Sequence, residues 1–387
     1  MTRGIYDYNL LNFLHELTKI DRFMSYKDLS KAIVLENGKK VSPKTIERWF
    51  NFLKKEYNHP KSKTKEKFNF YPAFFHEKLG LISVCIISEK PNLKLLGRLP
   101  FQDYVIWLFD PKINESVLLI GYLVPIIYLE RFKREWKKMK RQGLVKNYKF
   151  YITYKGFTIY SPWHKVIDKD GIFHPENNSE EEIDRQIRRF RYYLNDLPKI
   201  EIMNPIKKNP LIVPVLFEHQ YQYWTSPKIW QRMKDKLGKK IYDYVSRSKV
   251  TSDAVGIKKV QQTLKEIYHK DIILQMRIVY MPIELKNNFF IYLIVNFEKR
   301  EVVEQIKMLA LNSIYLRILP MSKNKVFLIS LTNSKCLEKI FEILRNLKIE
   351  KIYFLQHEKS LPLLTTQKYK KHDYFNHFNP KTSQWNW

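Results

Sequence analysis

The chain has 387 residues, 44% apolar and 15% aromatic, enough for two to four domains with real cores and unlike a disordered chain. Its net charge of +30 favours a polyanionic partner, nucleic acid first and an acidic membrane surface second. Two cysteines, Cys85 and Cys336, with no CxxC spacing leave no disulfide framework and no zinc signature, which suits a reducing cytoplasm.

The polar N-terminus reads as the start of a helix rather than as a signal peptide. Leu10, Leu11, Leu14 and Leu17 recur at helical spacing over Tyr8 to Thr18. Met24 to Ile33 predicts a second helix, with Ser25 and Asp28 as its capping pattern and Leu29, Ala32 and Ile33 as its buried side. After the turn Glu36-Asn37-Gly38-Lys39, Ser42 is placed to cap a third helix and Pro43 suits its first position. Ile46, Phe50 and Leu53 form its apolar stripe. Lys44, Thr45, Arg48 and Asn51 point elsewhere, as the contact face of a recognition helix does; an ordinary amphipathic helix gives the same pattern. Trp49 is expected to pack against the first helix rather than read bases. Residues 60–67, PKSKTKEK, read as a linker or the tip of a basic wing.

These residues resemble the DNA-binding domain of the leucine-responsive (Lrp/AsnC) regulators. In that family S-x-x-(E/D)-L-(S/A)-(K/R) precedes (L/V)-S-x-x-T-(V/I)-x-R-(I/V). Here Ser25, Asp28, Leu29, Ser30, Lys31, Val41, Ser42, Thr45, Ile46 and Arg48 fall on the pattern. The resemblance implies a winged helix-turn-helix followed by a ferredoxin-like domain that pairs and binds small effectors, often amino acids.

From Leu79 the pattern changes. Leu81 to Ile87, Tyr104 to Phe109, Val117 to Val124 and Lys149 to Thr153 read as strands. A brief helix falls between Pro91 and Pro100, and a longer one over Leu129 to Gln142. The order is β-α-β-β-α-β, the ferredoxin-like arrangement. The apolar run Val117 to Leu129, broken by Gly121 and Pro125, is shorter than the ~20 residues of a membrane span, so no membrane is expected.

The same order recurs about 210 residues later, which marks an internal duplication. Its strands are Phe289 to Phe297, Ile314 to Leu319, Lys325 to Leu331 and Ile352 to Leu355; its helices are Arg300 to Ala310 and Ser334 to Leu347. A second winged helix is then expected before Phe289. Its helices are Pro227 to Leu237, Lys239 to Ser246 and a third capped by Ser252-Asp253, with Ile46, Phe50 and Leu53 matched by Val260, Leu264 and Ile267. Lys258, Lys259, Gln261 and Gln262 form its polar face, and Gly256 inside it costs ~1 kcal/mol against Ala.

Between the halves, an acidic first turn at Ser179-Glu180-Glu181-Glu182 opens a helix that carries Arg185, Arg188, Arg189 and Arg191. Pro198, Pro205, Pro210 and Pro214 are then expected to prevent long regular structure. The tail from Thr365 interleaves Lys and aromatic residues, a pattern that either stacks on single strands or packs on the body.

No catalytic motif stands out. The set His164, His174, Asp168 and Asp170 in one polar loop usually means solvated side chains rather than a metal site. His372 and His377 lack the i, i+4 spacing of two ligands on one helix face.

The fold expected is therefore α+β, with two winged helix-turn-helix domains alternating with two ferredoxin-like domains. The divisions are residues 1–72, 73–162, a connector over 163–214, 215–284, 285–358 and a tail over 359–387. The function expected is that of an archaeal, cytoplasmic, tandem Lrp/AsnC-like transcriptional regulator, not an enzyme and without a cofactor. Its partner is double-stranded DNA, with room for a small-molecule effector and for an intramolecular pseudo-dimer or a homodimer. The DNA-contacting residues are Lys27, Ser42, Lys44, Thr45, Arg48, Asn51 and Lys54 in the first unit and Lys258, Lys259, Gln261 and Gln262 in the second. A replication initiator of a mobile element and an architectural DNA-binding protein are the alternatives. An RNA recognition motif fits less well, because Val117 to Tyr122 and Val326 to Leu331 are mostly aliphatic where its signature needs exposed aromatics.

Overall fold

The computed structural model describes residues 7–20, 24–56, 69–91, 99–100, 105–109, 117–154, 156–195, 208–221, 225–245, 252–270, 272–279, 288–296, 301–322, 325–345, 349–356 and 377–386. The chain is a mixed α+β protein. It opens with three helices, α1 (Tyr8–Thr18), α2 (Tyr26–Ala32) and α3 (Pro43–Glu56). Each has a side-chain cap that pairs one of the N–H groups its first turn leaves without an intrahelical partner. The Asp7 carboxylate accepts from the Leu10 N–H at 3.1 Å, Ser25 Oγ from the Asp28 N–H at 3.1 Å, and Ser42 Oγ from the Thr45 N–H at 3.1 Å. Leu10, Leu14, Leu17, Leu29, Ile46, Phe50 and Leu53 are buried together. The segment between α2 and α3 is a small hairpin, closed by an antiparallel bridge from Val34 to Lys40 around Gly38.

Strand β1 (Asn69–Phe74) leads into the first α/β unit. That unit comprises β2 (Leu81–Pro91), β3 (Val105–Phe109), β4 (Val117–Pro125), α4 (Leu129–Arg141) and β5 (Val145–Thr153). The sheet order is β3-β4-β2-β5, with every neighbour antiparallel. Ile82, Val84 and Ile86 of β2 bury one sheet face together with Phe132, Trp136 and Met139 of α4. Cys85 and Ile87 join the other face to the core that holds the second sheet. Burial on both faces explains why this strand is a continuous apolar run rather than an alternating one. The brief helix expected between Pro91 and Pro100 falls mostly outside the described residues, as do residues 60–67.

The short strand β6 (Phe157–Tyr160) precedes α5 (Trp163–Val166) and α6 (Glu180–Asn195). A second helical unit follows: α7 (Ile212–Tyr221), α8 (Ser226–Leu237), α9 (Ile241–Val245) and α10 (Asp253–His269). Helix α7, ten residues long, corrects at Pro214 the expectation that the prolines prevent long regular structure. Pro214 is the third residue of α7, in the first turn, where its missing N–H would have no intrahelical partner. The connector expected to hold one helix thus also carries α5 and the start of α7. At α10, Ser252 precedes the helix without a side-chain capping bond. Asp253 Oδ1 instead accepts from Trp230 Nε1 and Lys234 Nζ, both at 2.9 Å. Val260 and Ile267 are buried and Leu264 is half-buried.

Strand β7 (Ile273–Val279) then leads into β8 (Asn288–Asn296), α11 (Glu301–Leu311), β9 (Tyr315–Ser322), β10 (Lys325–Asn333), α12 (Leu337–Arg345) and β11 (Ile349–Gln356). The order β11-β8-β10-β9 repeats that of the first sheet, and β6 adds to the outer edge of β9. Beside this junction, a Cβ on Gly156 would meet Leu319 Cγ at 2.9 Å and the Ile318 carbonyl at 3.0 Å, so the close approach requires glycine. Strands β1 and β7 pair antiparallel, from Asn69 opposite Val279 to Phe74 opposite Ile273. Helix α1 packs against β7 and α7 against β1, so each helical unit lies on the strand that follows the other.

The tail ends in the hairpin β12 (Phe378–Asn379) and β13 (Gln384–Trp385). Phe378 and Trp385 are buried, and Trp385 Nε1 donates to the Leu79 carbonyl at 2.7 Å. For these two rings, packing on the body replaces stacking on a nucleic acid. Among the described residues no helix is long and apolar enough to cross a membrane.

Candidate nucleic-acid interface

The two sides of α3 differ sharply. Ile46, Trp49, Phe50 and Leu53 are buried; the Trp49 ring lies 4.9 Å from Phe13 of α1, and Phe50 meets Phe13 edge-on at 5.8 Å. Lys44, Arg48 and Asn51 are exposed, at spacings of four and three residues, and so form one outward row. The row begins at the amino end of the helix, where the positive end of the helix dipole adds to the attraction for phosphate.

Ser42 and Thr45 have a different task from the outward row. Their hydroxyls are 3.0 Å apart, and Ser42 Oγ caps the helix. Ser42 is exposed and Thr45 half-buried, so both shape the helix start. Lys27 is exposed at the second position of α2. Lys54 belongs to α3, but its side chain lies outside the described residues.

On α10, Lys258, Gln261 and Gln262 are exposed. Lys259 is half-buried and its Nζ donates to the Val245 carbonyl at 3.4 Å, at the end of α9. The structure therefore brings Lys258, Gln261 and Gln262 to one surface and turns Lys259 back onto its own unit.

A charged cluster fixes how the first helical unit sits on the body. Glu36, in the hairpin before α3, accepts from Tyr8 Oη at 2.7 Å and pairs with Lys165 Nζ at 2.5 Å and His164 Nε2 at 3.0 Å. The hydrogen bonds from Lys165 and Tyr8 lead in holding the Glu36 carboxyl down at about 2. On the other side of His164, His15 of α1 pairs with Glu182 of α6 at 3.3 Å, and Lys19 reaches the same carboxylate at 3.6 Å. Burial works to raise the Glu182 carboxyl, but His15, Lys19 and Arg185 together hold it at about 2. The contacts of Glu36 with His164 and Lys165, and of Glu182 with His15 and Lys19, join residues more than a hundred apart, and no local spacing in the sequence announces them.

The loop histidines do not converge. His164 belongs to the cluster just described. His174 bridges Asp168 at 2.9 Å and Glu176 at 3.0 Å. No group of three or more His, Cys, Asp or Glu placed to hold a metal ion occurs among the described residues. Of the arginines on α6, Arg185 pairs with Glu181 and Glu182, while Arg188 and Arg189 are exposed. Both cysteines are free and buried, and burial pushes the Cys85 thiol far above its ordinary range, which rules against a reactive thiolate.

No protein-family description and no curated protein matches the chain in sequence. Two crystal structures of the siroheme decarboxylase NirDL are similar to it in shape. One has 12% identity and a TM-score of 0.46, with 95% of this chain and 96% of that chain covered. The other, in co-complex with an iron-uroporphyrin III analogue, has 13% identity and a TM-score of 0.47, with 96% and 95% covered. A likeness of this degree leaves the function of this chain to its own residues.

Proposed function

We propose that this protein is a DNA-binding transcriptional regulator that reads duplex DNA through α3. The observation that carries the reading is the outward row Lys44, Arg48 and Asn51, which lies opposite a fully buried apolar stripe on a side-chain-capped helix. Arg and Asn at such positions suit base edges in a major groove, and Lys suits phosphate. In this reading the first three helices are a winged helix-turn-helix of the Lrp/AsnC kind, as their motif suggests. The two sheets are ferredoxin-like units that share a core as a pseudo-dimer within one chain. The repeated strand order and the β1–β7 pairing support that arrangement. Helix α10 is then the second DNA helix, with Lys258, Gln261 and Gln262 as its contacts.

The test is to select a preferred duplex from a random pool and compare it with a scrambled one. Arg48→Ala weakens the preferred duplex by ~1–3 kcal/mol and the scrambled one less, as loss of a bidentate base contact requires. Lys54→Ala weakens both about equally and lowers the salt slope by ~1, as loss of a phosphate contact requires. Unchanged binding of Arg48→Ala to both duplexes rules out α3 as the reading helix.

A further inference from the structure

Helix α4 carries seven basic and two acidic residues along LERFKREWKKMKR. The helix at the same place in the second α/β unit, α12, carries two of each along LEKIFEILR. The excess is therefore not demanded by the fold. Phe132, Trp136 and Met139 occupy the buried side of α4, and Arg134, Lys137, Lys138 and Arg141 are exposed on the opposite side. None of these four side chains is in hydrogen-bond or ion-pair contact with a described residue, although Arg134 and Lys137 lie near enough to Glu130 to help lower its carboxyl. The other basic residues differ: Lys133 pairs with Glu130 at 2.7 Å, and Lys140 donates to Asn147 Oδ1 at 3.1 Å.

Helix stability does not explain the cluster. Cations in the last turn do complement the helix dipole, but Arg134 and Lys137 precede that turn. Glu130 with Arg134 is a favourable i, i+4 pair, but Arg134 with Lys138 and Lys137 with Arg141 are like charges at the same spacing, which repel and loosen a helix. Successive cations one turn apart are separated by roughly 6 Å along the axis, so the row presents several positive charges together to a polyanion.

We propose that the outer face of α4 is a second, sequence-independent contact surface for the phosphate backbone of duplex DNA, apart from the reading helices. The proposal rests on the reading of the chain as a DNA-binding protein. A lipid surface fits less well, because an interfacial helix needs an apolar face free to insert, and that of α4 is buried in the core. Single strands fit less well, because the outer row carries no aromatic side chain on which bases could stack.

The experiment compares the full chain with Arg134→Gln/Lys137→Gln/Lys138→Gln/Arg141→Gln on two unrelated duplexes of equal length, over a range of salt. Gln keeps the helix propensity of the positions. The expected result is a loss of about tenfold or more on both duplexes at ~0.1 M salt, and a salt slope lower by about 2 to 4. Lys335→Gln/Lys339→Gln/Arg345→Gln, at and beside α12, changes neither. An unchanged slope in the α4 variant overturns the proposal and leaves α3 as the binding helix, with Arg48→Ala as its separate readout. Loss of binding to phosphatidylserine vesicles with unchanged DNA binding overturns it in favour of a membrane. A wild-type chain that binds no duplex overturns both readings.

Discussion

Gly256 of α10 lies beneath the indole of Trp230 of α8, so close that a Cβ on the glycine would stand 2.2 Å from ring atoms Cε2 and Cζ2. Trp230 cannot easily turn away. It is buried, and its Nε1 donates to Asp253 Oδ1 at 2.9 Å on the first turn of the same helix. Helix propensity alone makes Gly256→Ala stabilising by ~1 kcal/mol. The overlap with Trp230 reverses the sign, because forcing a methyl into a filled site costs ~1–3 kcal/mol. The expected outcome is a lower unfolding temperature for Gly256→Ala. A rise would show that the helix and ring separate at little cost.

The stability of the docked first helical unit is expected to depend on pH through His164. Its side chain is 3% exposed and is faced by Tyr8 and His15 of α1, by Glu36 of the hairpin, and by Lys165 beside it. Burial and the charge of His15 hold the imidazole down at about 4, against the pull of Glu36. The folded value lies below the unfolded one of ~6.5, so the unfolded chain takes up the proton first as pH falls. Stability is lost between ~6.5 and 4, by up to ~1.4 kcal/mol per pH unit from this residue. Glu36 and Glu182, held at about 2, contribute stability that is present above the ordinary carboxylate value and lost as pH falls from there through about 2. His174 acts in the opposite sense. Asp168 and then Glu176 raise its value, so its contribution is present at low pH and lost as pH rises through the folded value. Denaturant titrations at pH 7 and 5 are expected to show a smaller loss for His164→Gln than for the wild type, by ~2 kcal/mol. Equal losses would remove His164 as the cause.

The tail hairpin straps the second helical unit to the first α/β unit. Trp385 is buried against Phe378 at 5.1 Å between ring centres and bonds to the Leu79 carbonyl, while the Tyr244 hydroxyl reaches the Phe378 carbonyl at 3.4 Å. Trp385→Ala removes a buried ring and leaves that carbonyl unpaired, a cost of ~3–5 kcal/mol. Duplex binding at a temperature where the variant is folded should stay within twofold, since Trp385 is placed as a packing residue. A selective loss of single-strand binding without loss of stability would return the tail to a nucleic-acid role.

What the sequence makes legible follows the range of the forces involved. Ile46, Phe50 and Leu53 reveal α3 because the helical period is local, and Ser42 marks its start for the same reason. The run Leu81 to Ile87 reveals β2 because burial on both faces removes alternation. Strand β6 is hidden: four residues pair with Tyr315 to Ile318, far along the chain, and no local pattern specifies that partner. The β1–β7 ladder is hidden for the same reason. Pro214 misleads because its effect depends on whether it falls in a first turn or an interior one. Gly256 reads as a weak point of a helix until Trp230 is seen above it. At the candidate interface, spacing separates Lys44, Arg48 and Asn51 from the core, yet it cannot tell that Lys259 turns back to Val245.

The claim that duplex DNA is the partner is tested most directly by the affinity of the full wild-type chain for a duplex over ~0.05 to 0.5 M salt. Each phosphate contact contributes about −0.9 to the slope of log affinity against log salt. With contacts from α3, α10 and α4, the account predicts a slope of about −5 or steeper. A flat titration, or no duplex binding at the low-salt end, would contradict it.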